Sequence, residues 1–419
     1  MKKILLVGLG LLALLACNSA PKGSLQVSVS TPAGVVAQVE VSGPGGFSQT
    51  LSASQSLSNL TPGTYTLTAK PVRKAGALVD EVYEGNSGTV LVNPGPAANF
   101  DISYNLRAGS GKLWVPVMGA TKANGYAPTQ LASGGDNLTP TIALGFGAGN
   151  NPYSSAVDRQ GNLWFGTQQG KILMFTPAQQ AASGTPTPSV EINSGSTDLN
   201  GMAFDEGGNL WVSAASSLRR FDAAQLTSSG SPTPAVAITG TAANPLSFPQ
   251  AIAFDSNGAL WVASGNKVYK YTPAQIASSG NPEPSVVLTA ADTTSLNTPR
   301  GLAFDASGAL WVANWNASNV VKFAPNQLAS SGAPVPVVKI SGVGVNPLRL
   351  AFDNEGNLWV SSNFGPGFVG SGHFARVAAA NLVSSGTPTL AASFTNVGGF
   401  DSGGTLVFNP PPANLPIRQ

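Results

Sequence analysis

The sequence predicts an all-β protein: a β-propeller of six blades, with seven as the alternative, behind a small N-terminal β-sandwich. Three observations predict it. The composition favours short strands and turns, with 81 Gly and Pro among 419 residues and only 10% charged side chains. A Gly-x-Leu-Trp string recurs at Gly111–Trp114, Gly161–Trp164, Gly208–Trp211, Gly258–Trp261, Gly308–Trp311 and Gly356–Trp359, and a decayed copy stands at Gly404–Val407. The Trp positions are 50, 47, 50, 50 and 48 residues apart, a period that marks repeated supersecondary units.

Each repeat carries four apolar stretches. Ala203-Phe204-Asp205, Ala253-Phe254-Asp255, Ala303-Phe304-Asp305 and Ala351-Phe352-Asp353 precede the Gly-x-Leu-Trp strand. A third stretch follows, as in Val268–Tyr271. A linker of the kind Pro273–Gly280 leads to a fourth, as in Ser285–Leu288. Four short strands per repeat make a propeller blade. The linker occurs six times, which favours six blades, with the C-terminal strands closing the ring against the first; the decayed copy keeps seven open. In Asp-x-x-Gly the glycine suits the tight turn and the Asp side chain bonds the turn backbone. That assigns Asp158, Asp205, Asp255, Asp305, Asp353 and Asp401 to turns. The repeated Trp is a wedge between blades.

The first 17 residues read as an export signal. Lys2 and Lys3 form a basic start, and Ile4–Ala16 is an apolar run of 13 residues. A membrane-spanning helix needs about 20, so the run fits a cleaved signal. Leu14-Leu15-Ala16-Cys17 resembles the bacterial lipobox, which implies lipidation of Cys17, the sole cysteine, and a cell-envelope location. Asn18 after the Cys favours the outer membrane or cell surface. A single Cys also excludes an internal disulfide framework. Without Lys2 and Lys3 the basic and acidic side chains balance at 19 each. That balance excludes a nucleic-acid partner, which needs a clustered basic surface.

The expected domains are residues 1–17 as signal, 18–23 as tether, 24–105 as sandwich, 110–410 as propeller and 411–419 as tail. Leu25–Val29 alternates with period two, as a half-buried strand does. Leu60–Leu67 (Leu-Thr-Pro-Gly-Thr-Tyr-Thr-Leu) resembles the signature of carboxypeptidase-regulatory-like, or transthyretin-like, domains, whose role is that of a spacer or adhesion module. Residues Pro299–Val312 are similar to the NHL-repeat and gluconolactonase-like propellers, and that resemblance extends over roughly 300 residues. It speaks to fold more than to function. One departure is plain: where NHL repeats carry an Asp three residues after the aromatic, this chain has Thr167, Ala214, Ser264, Asn314 and Ser362.

The gluconolactonase-like resemblance makes a metal-dependent lactonase or hydrolase the alternative function. Such an enzyme gathers three or four Glu, Asp and Asn ligands at the channel top. Besides the turn Asp residues, the propeller's acids are Asp136, Glu191, Asp198, Glu206, Asp222, Glu283, Asp292 and Glu355; Glu206 and Glu355 sit inside hairpin turns, Asp198 and Asp292 lie in linkers near the opposite face, and a divalent site wants several oxygen ligands together. A streptogramin-lyase-like chemistry uses more than one His, and the chain has only His373, which reads as packed or solvent-facing. No GxSxG, HExxH or P-loop string is present. The expectation is therefore a non-catalytic binding or scaffold module, with no metal or other cofactor and an unknown protein or carbohydrate ligand.

Binding is expected where the repeats differ. The Asp-x-x-Gly turns and the linkers share one face of the ring, and the remaining, dissimilar loops share the other. The residue five before each turn Asp starts the innermost strand at that variable face: Tyr153, Asn200, Gln250, Arg300, Leu348 and Asn396, with Arg349 one further on. Trp315, outside the repeated Trp set, lies between two Asn. The candidate ligand residues are Asn200, Gln250, Arg300, Trp315, Arg349 and Asn396, suited to an anionic or polyhydroxy ligand. The competing readings are a Trp315 folded onto its own blade, and two Arg that bond backbone carbonyls and plug the channel.

Overall fold

The structure, a computed structural model, describes residues 21–365, 371–395 and 404–413. Cys17, Asn396 and Asp401 lie outside them. The chain divides into two units. One is residues 1–72 with Tyr83–Asn105; the other is Arg73–Val82 with Leu106–Gln419. The segment Arg73–Val82, which the sequence placed with the first unit, groups with the second.

The first unit has two sheets over one core. A five-stranded sheet contains Gly23–Ser30, Gln55–Leu60 and Ala98–Leu106; a four-stranded sheet contains Val39–Gly43, Phe47–Leu51, Gly63–Ala69 and Gly88–Val92. Leu25 and Val27 of one sheet and Val39, Val41, Tyr65 and Leu67 of the other share a buried cluster. After the Pro62-Gly63 turn, Tyr65 and Leu67 point to the same face, as period two requires. The Tyr65 hydroxyl donates to the Thr61 carbonyl at 3.1 Å.

The second unit is a β-propeller. Its described residues hold six antiparallel sheets of four strands, each ordered from the channel outward. Sheet 1 is Val407–Asn409, Lys112–Val117, Lys122–Tyr126 and Ile142–Gly145. Sheet 2 is Pro152–Val157, Leu163–Thr167, Lys171–Phe175 and Val190–Asn193. Sheet 3 is Gly201–Phe204, Leu210–Ala214, Ser217–Phe221 and Val236–Thr239. Sheet 4 is Ile252–Phe254, Leu260–Ser264, Lys267–Tyr271 and Val286–Leu288. Sheet 5 is Pro299–Phe304, Leu310–Asn314, Asn319–Phe323 and Val338–Ser341. Sheet 6 is Val345–Phe352, Leu358–Phe364, Ser371–Val377 and Ala392–Thr395, with Gly135–Asp136 added in parallel at its outer edge.

The register corrects the reading of Gly404–Val407 as a decayed Gly-x-Leu-Trp strand. Val407 pairs with Trp114 and Phe408 with Leu113, as Ala203 pairs with Trp211 and Phe204 with Leu210. Val407-Phe408-Asn409 is thus the Ala-Phe-Asp copy of sheet 1, supplied from the C-terminal end of the chain. Asn409 takes the place of the turn Asp: Gly111 N donates to the Asn409 carbonyl at 2.7 Å, as Gly208 N donates to Asp205 at 3.0 Å. Counting five back from Asn409 makes Gly404, and not Asn396, the repeat-equivalent of Asn200 in sheet 1.

The repeated residues divide the mechanical work. Each turn carboxylate has two tasks. Asp255 accepts from Asn257 N and Ala259 N at 2.9 and 3.0 Å with one oxygen, and from Trp261 Nε1 at 2.9 Å with the other. Asp158, Asp205, Asp305 and Asp353 hold their Trp in the same way. The indole then lies edge-on against the Phe of the next sheet: Trp164 on Phe204, Trp211 on Phe254, Trp261 on Phe304, Trp311 on Phe352 and, across the ring closure, Trp359 on Phe408. Lys270 and Lys322 add an ion pair to the Asp and a cation over the Trp ring at 5.1 Å. Burial raises Asp305, but bonds from Ser307, Trp311 and Lys322 outweigh it and leave its pKa low. Burial leaves Asp353 raised despite its bonds from Trp359, Asn357 and Glu355.

The linkers protect the outer edges. Gly184, Gly230, Gly280, Gly332 and Gly386 each bridge to the outermost strand of the preceding sheet, at Leu144, Ile192, Ile238, Leu288 and Ile340. The Ser before each glycine accepts a backbone N–H of that strand, for instance Ala237 N to Ser279 Oγ at 3.0 Å. An exposed edge would otherwise offer unpaired N–H groups to another chain. Gly135–Asp136, in the linker of sheet 1, does the same for sheet 6, so the ring is clasped at its rim as well as at its innermost strand.

Candidate functional site

The innermost strands surround a narrow channel. Inside it is a cavity of about 50 Å³, lined from all six sheets by residues that include Ser155, Asn200, Ile252, Leu302, Arg349 and Val407. That is well below the roughly 150 Å³ of a cavity that admits a small aromatic molecule. The wider space lies at the mouth of the channel.

Five of the six channel-ring positions are described, and they lie at or just before the innermost strands. Tyr153 and Arg300 are half-buried within theirs, and Leu348 is buried. Asn200 is buried and Gln250 half-buried, each at the entry to its strand. Burial raises the Tyr153 pKa; the charge of Asp198 raises it further and that of Arg300 opposes this. Tyr153 thus feels the charges of both Asp198 and Arg300.

The two arginines part company. Arg349 is 6% exposed and spans the channel. Its Nη1 donates to the carbonyls of Arg300 and Leu348 at 2.8 and 3.1 Å, and its Nη2 to that of Asn200, on the far side of the ring, at 2.9 Å. Burial first, then the neighbouring charge of Arg300, lowers its pKa to about 10, so it stays charged at neutral pH. Arg349 is the plug. Arg300 is not. Its guanidinium stacks on the Trp315 ring at 4.8 Å, and its Nε is buried with no hydrogen-bond partner. Among the described residues neither arginine has an ion-pair partner. Trp315 is folded back onto its own sheet by that stack, and its backbone N donates to Thr298 O at 3.0 Å.

Asn200 and Gln250 serve mainly as braces. Asn200 offers its carbonyl to Arg349 and its Nδ2 to Pro249 O at 3.5 Å; Gln250 Nε2 donates to Phe248 O at 3.2 Å.

His373 is fully buried, and the sequence reading missed its two serine neighbours. Ser362 Oγ donates to Phe364 O at 2.9 Å, so it accepts from His373 Nδ1–H at 2.8 Å; Nε2 then accepts from Ser393 Oγ at 3.0 Å. Burial lowers the imidazole pKa to about 4. The pairing has a plain structural parallel. Asn314 and Asn319 occupy the same two positions of sheet 5, bond to each other at 2.9 Å, and hold the Ser295 and Thr294 carbonyls. Both pairs pin strand ends at the variable face. Paired strand positions could have shown this in the sequence, because Ser362 and His373 occupy the slot of Asn314 and Asn319.

Among the described residues no three His, Cys, Asp or Glu side chains come together as metal ligands. The turn acids are occupied by backbone N–H groups and indoles.

A family model described as two component regulator propeller matches residues 147–169. No curated protein matches the sequence. Solved structures with a similar fold include a protein of unknown function from Bacteroides caccae, with 12% identity, 68% of this chain and 98% of that chain covered and a TM-score of 0.47. A streptogramin B lyase shares 16% identity, with 65% and 77% covered and a TM-score of 0.43. A luciferin-regenerating enzyme shares 15%, with 67% and 94% covered and a TM-score of 0.45. At such identities and scores no residue role and no activity transfers to this chain.

Proposed function

We propose that this protein is a non-catalytic binding module that holds the anionic group of a protein or carbohydrate ligand at the variable mouth of its propeller. The observation that carries this is the Arg300–Trp315 pair. Arg300 presents a guanidinium pre-set by stacking, with a buried and unbonded Nε, beside a second positive charge at Arg349. Arg matches carboxylate and phosphate with two parallel bonds. An anion there would satisfy Arg300 and offset the uncompensated charge of both arginines.

The test is a titration with acetate and inorganic phosphate, followed through the Arg side-chain NMR resonances. Arg300→Ala is expected to weaken binding by at least about tenfold, the equivalent of one charge-assisted hydrogen bond of about 1.5 kcal/mol. Unchanged affinity in Arg300→Ala would overturn the reading.

We also propose that the module is lipid-anchored at Cys17, on the far side of a membrane from the cytoplasm, with the first unit as spacer. The support is the apolar run that ends at Leu14–Cys17. No helix among the described residues is long and apolar enough to cross a membrane. Stable anchoring takes more than one acyl chain, so Cys17→Ser is expected to move the protein from the membrane fraction to the soluble extract. A variant that stays with the membrane would contradict the anchor.

A further inference from the structure

Two residues before four of the channel-ring positions, the chain turns through the left-handed region. Asp198, Phe248 and Thr298 hold φ of 54°, 45° and 54° in the loops that enter sheets 3, 4 and 5, and Asn346 holds 55° near the start of the innermost strand of sheet 6. Asp and Asn suit that backbone; for a bulky side chain it is an outlier.

At the polar members of this set, bonds to the 2–3 hairpins compensate. Asp198 N donates to Gln168 O at 2.9 Å, in the hairpin of sheet 2. Thr298 N donates to Asn266 Oδ1 at 2.9 Å, and its Oγ1 accepts from Asn316 Nδ2 at 2.7 Å. Asn346 Nδ2 donates to Trp315 O at 2.9 Å.

Phe248 breaks the pattern. Its ring offers no side-chain bond of the kind that Thr298 Oγ1 and Asn346 Nδ2 make, and the residue is 66% exposed. The strained turn is instead braced from behind: Gln250 Nε2 donates to Phe248 O, and Ser264 Oγ to Ser247 O at 3.1 Å. The chain therefore bears both backbone strain and an exposed aromatic ring at a position where its own repeats use Asp, Thr and Asn. An observed outlier of this kind points to function.

The repeat places Phe248 one sheet before Thr298, and Arg300 two residues beyond Thr298. An apolar group and an unpaired guanidinium thus stand one step apart around the same mouth. We propose that Phe248 is a specificity residue for a ligand whose anionic group carries an apolar substituent: a carboxylate with an aromatic or aliphatic arm. The carboxylate pairs with Arg300, and the arm lies on Phe248. This deepens the proposed function and rests on it.

The test compares 3-phenylpropionate and hexanoate with acetate, by ligand-observed NMR on the wild-type protein, Phe248→Asn, Phe248→Leu and Arg300→Ala. The wild type is expected to prefer the armed carboxylates by about tenfold, a factor that partial burial of a few carbons supplies. Phe248→Asn is expected to lose that preference, keep its affinity for acetate, and melt no lower, because Asn fits the left-handed turn. Phe248→Leu is expected to retain most of the preference. If Phe248→Asn keeps the preference while Arg300→Ala abolishes binding, the role of Phe248 is overturned and the Arg300 site stands. If no carboxylate binds the wild type, both fall together.

Discussion

Replacement of Arg349 by Ala is expected to destabilise the propeller by about 3 kcal/mol or more, since a hydrogen bond to a charged group contributes about 1.5–3 kcal/mol. Three carbonyls, of Arg300, Leu348 and Asn200, lose their donor at once. The full sum of three bonds will not appear. The guanidinium is buried, so its removal also relieves a desolvation cost, and water can enter the opened channel to reach the carbonyls. Arg349→Lys is expected to rescue little, because a point charge on a flexible stem does not span three acceptors on opposite sides of a channel. Thermal and denaturant melts check this. Arg300→Ala serves as the control: it leaves no carbonyl without its donor and is expected to melt close to the wild type. If the two Ala variants lose equal stability, the division of labour between the arginines is wrong.

That division was half legible in the sequence. Counting five residues back from each turn Asp picked out the channel ring, because a repeat fixes where its innermost strand begins. The count could not tell a plug from a binding group. Arg300 and Arg349 are nearly equivalent in the repeat, and only the path of each side chain decides: one crosses to Asn200, while the other is turned aside by Trp315. The same count misplaced sheet 1. It relied on Asp401, whereas the closing strand is Val407-Phe408-Asn409, in which Asn replaces Asp and Val replaces Ala. With both end residues changed, the Gly404–Val407 string looked the better match. The pairing of Trp114 with Val407 shows the true alignment. The Asp-to-indole bonds were invisible for another reason. Spacing reveals that Asp and Trp recur together, but not that one carboxylate serves turn and wedge at once.

Acid is expected to weaken the fold through His373. Its pKa is about 4 in the native state and about 6.5 in an unfolded chain. Between those values the unfolded state binds the extra proton and the native state does not, so stability falls as the pH drops from about 6.5 to about 4. The stability is fully present above pH 6.5, and the loss is complete below pH 4. A gap of about 2.5 units corresponds to roughly 3 kcal/mol. The neutral tautomer is fixed by Ser362 and Ser393, and a second ring proton would displace the Ser393 hydroxyl that donates to Nε2. Carboxylates such as Asp305 add their own losses at lower pH, so the readout is a difference. His373→Gln is expected to flatten the pH dependence between 6.5 and 4 relative to the wild type. Equal slopes in the two proteins would mean that His373 is not the buried neutral pin described.

The most direct test of the binding account is a crystal structure of the full chain grown with 3-phenylpropionate in a buffer free of other carboxylates and of phosphate. The account predicts a carboxylate within hydrogen-bond distance of the Arg300 guanidinium, with the Trp315 stack retained, Arg349 still across the channel and the phenyl arm toward Phe248. An Arg300 already paired with a carboxylate of the chain itself, and no ligand at the mouth, would contradict it.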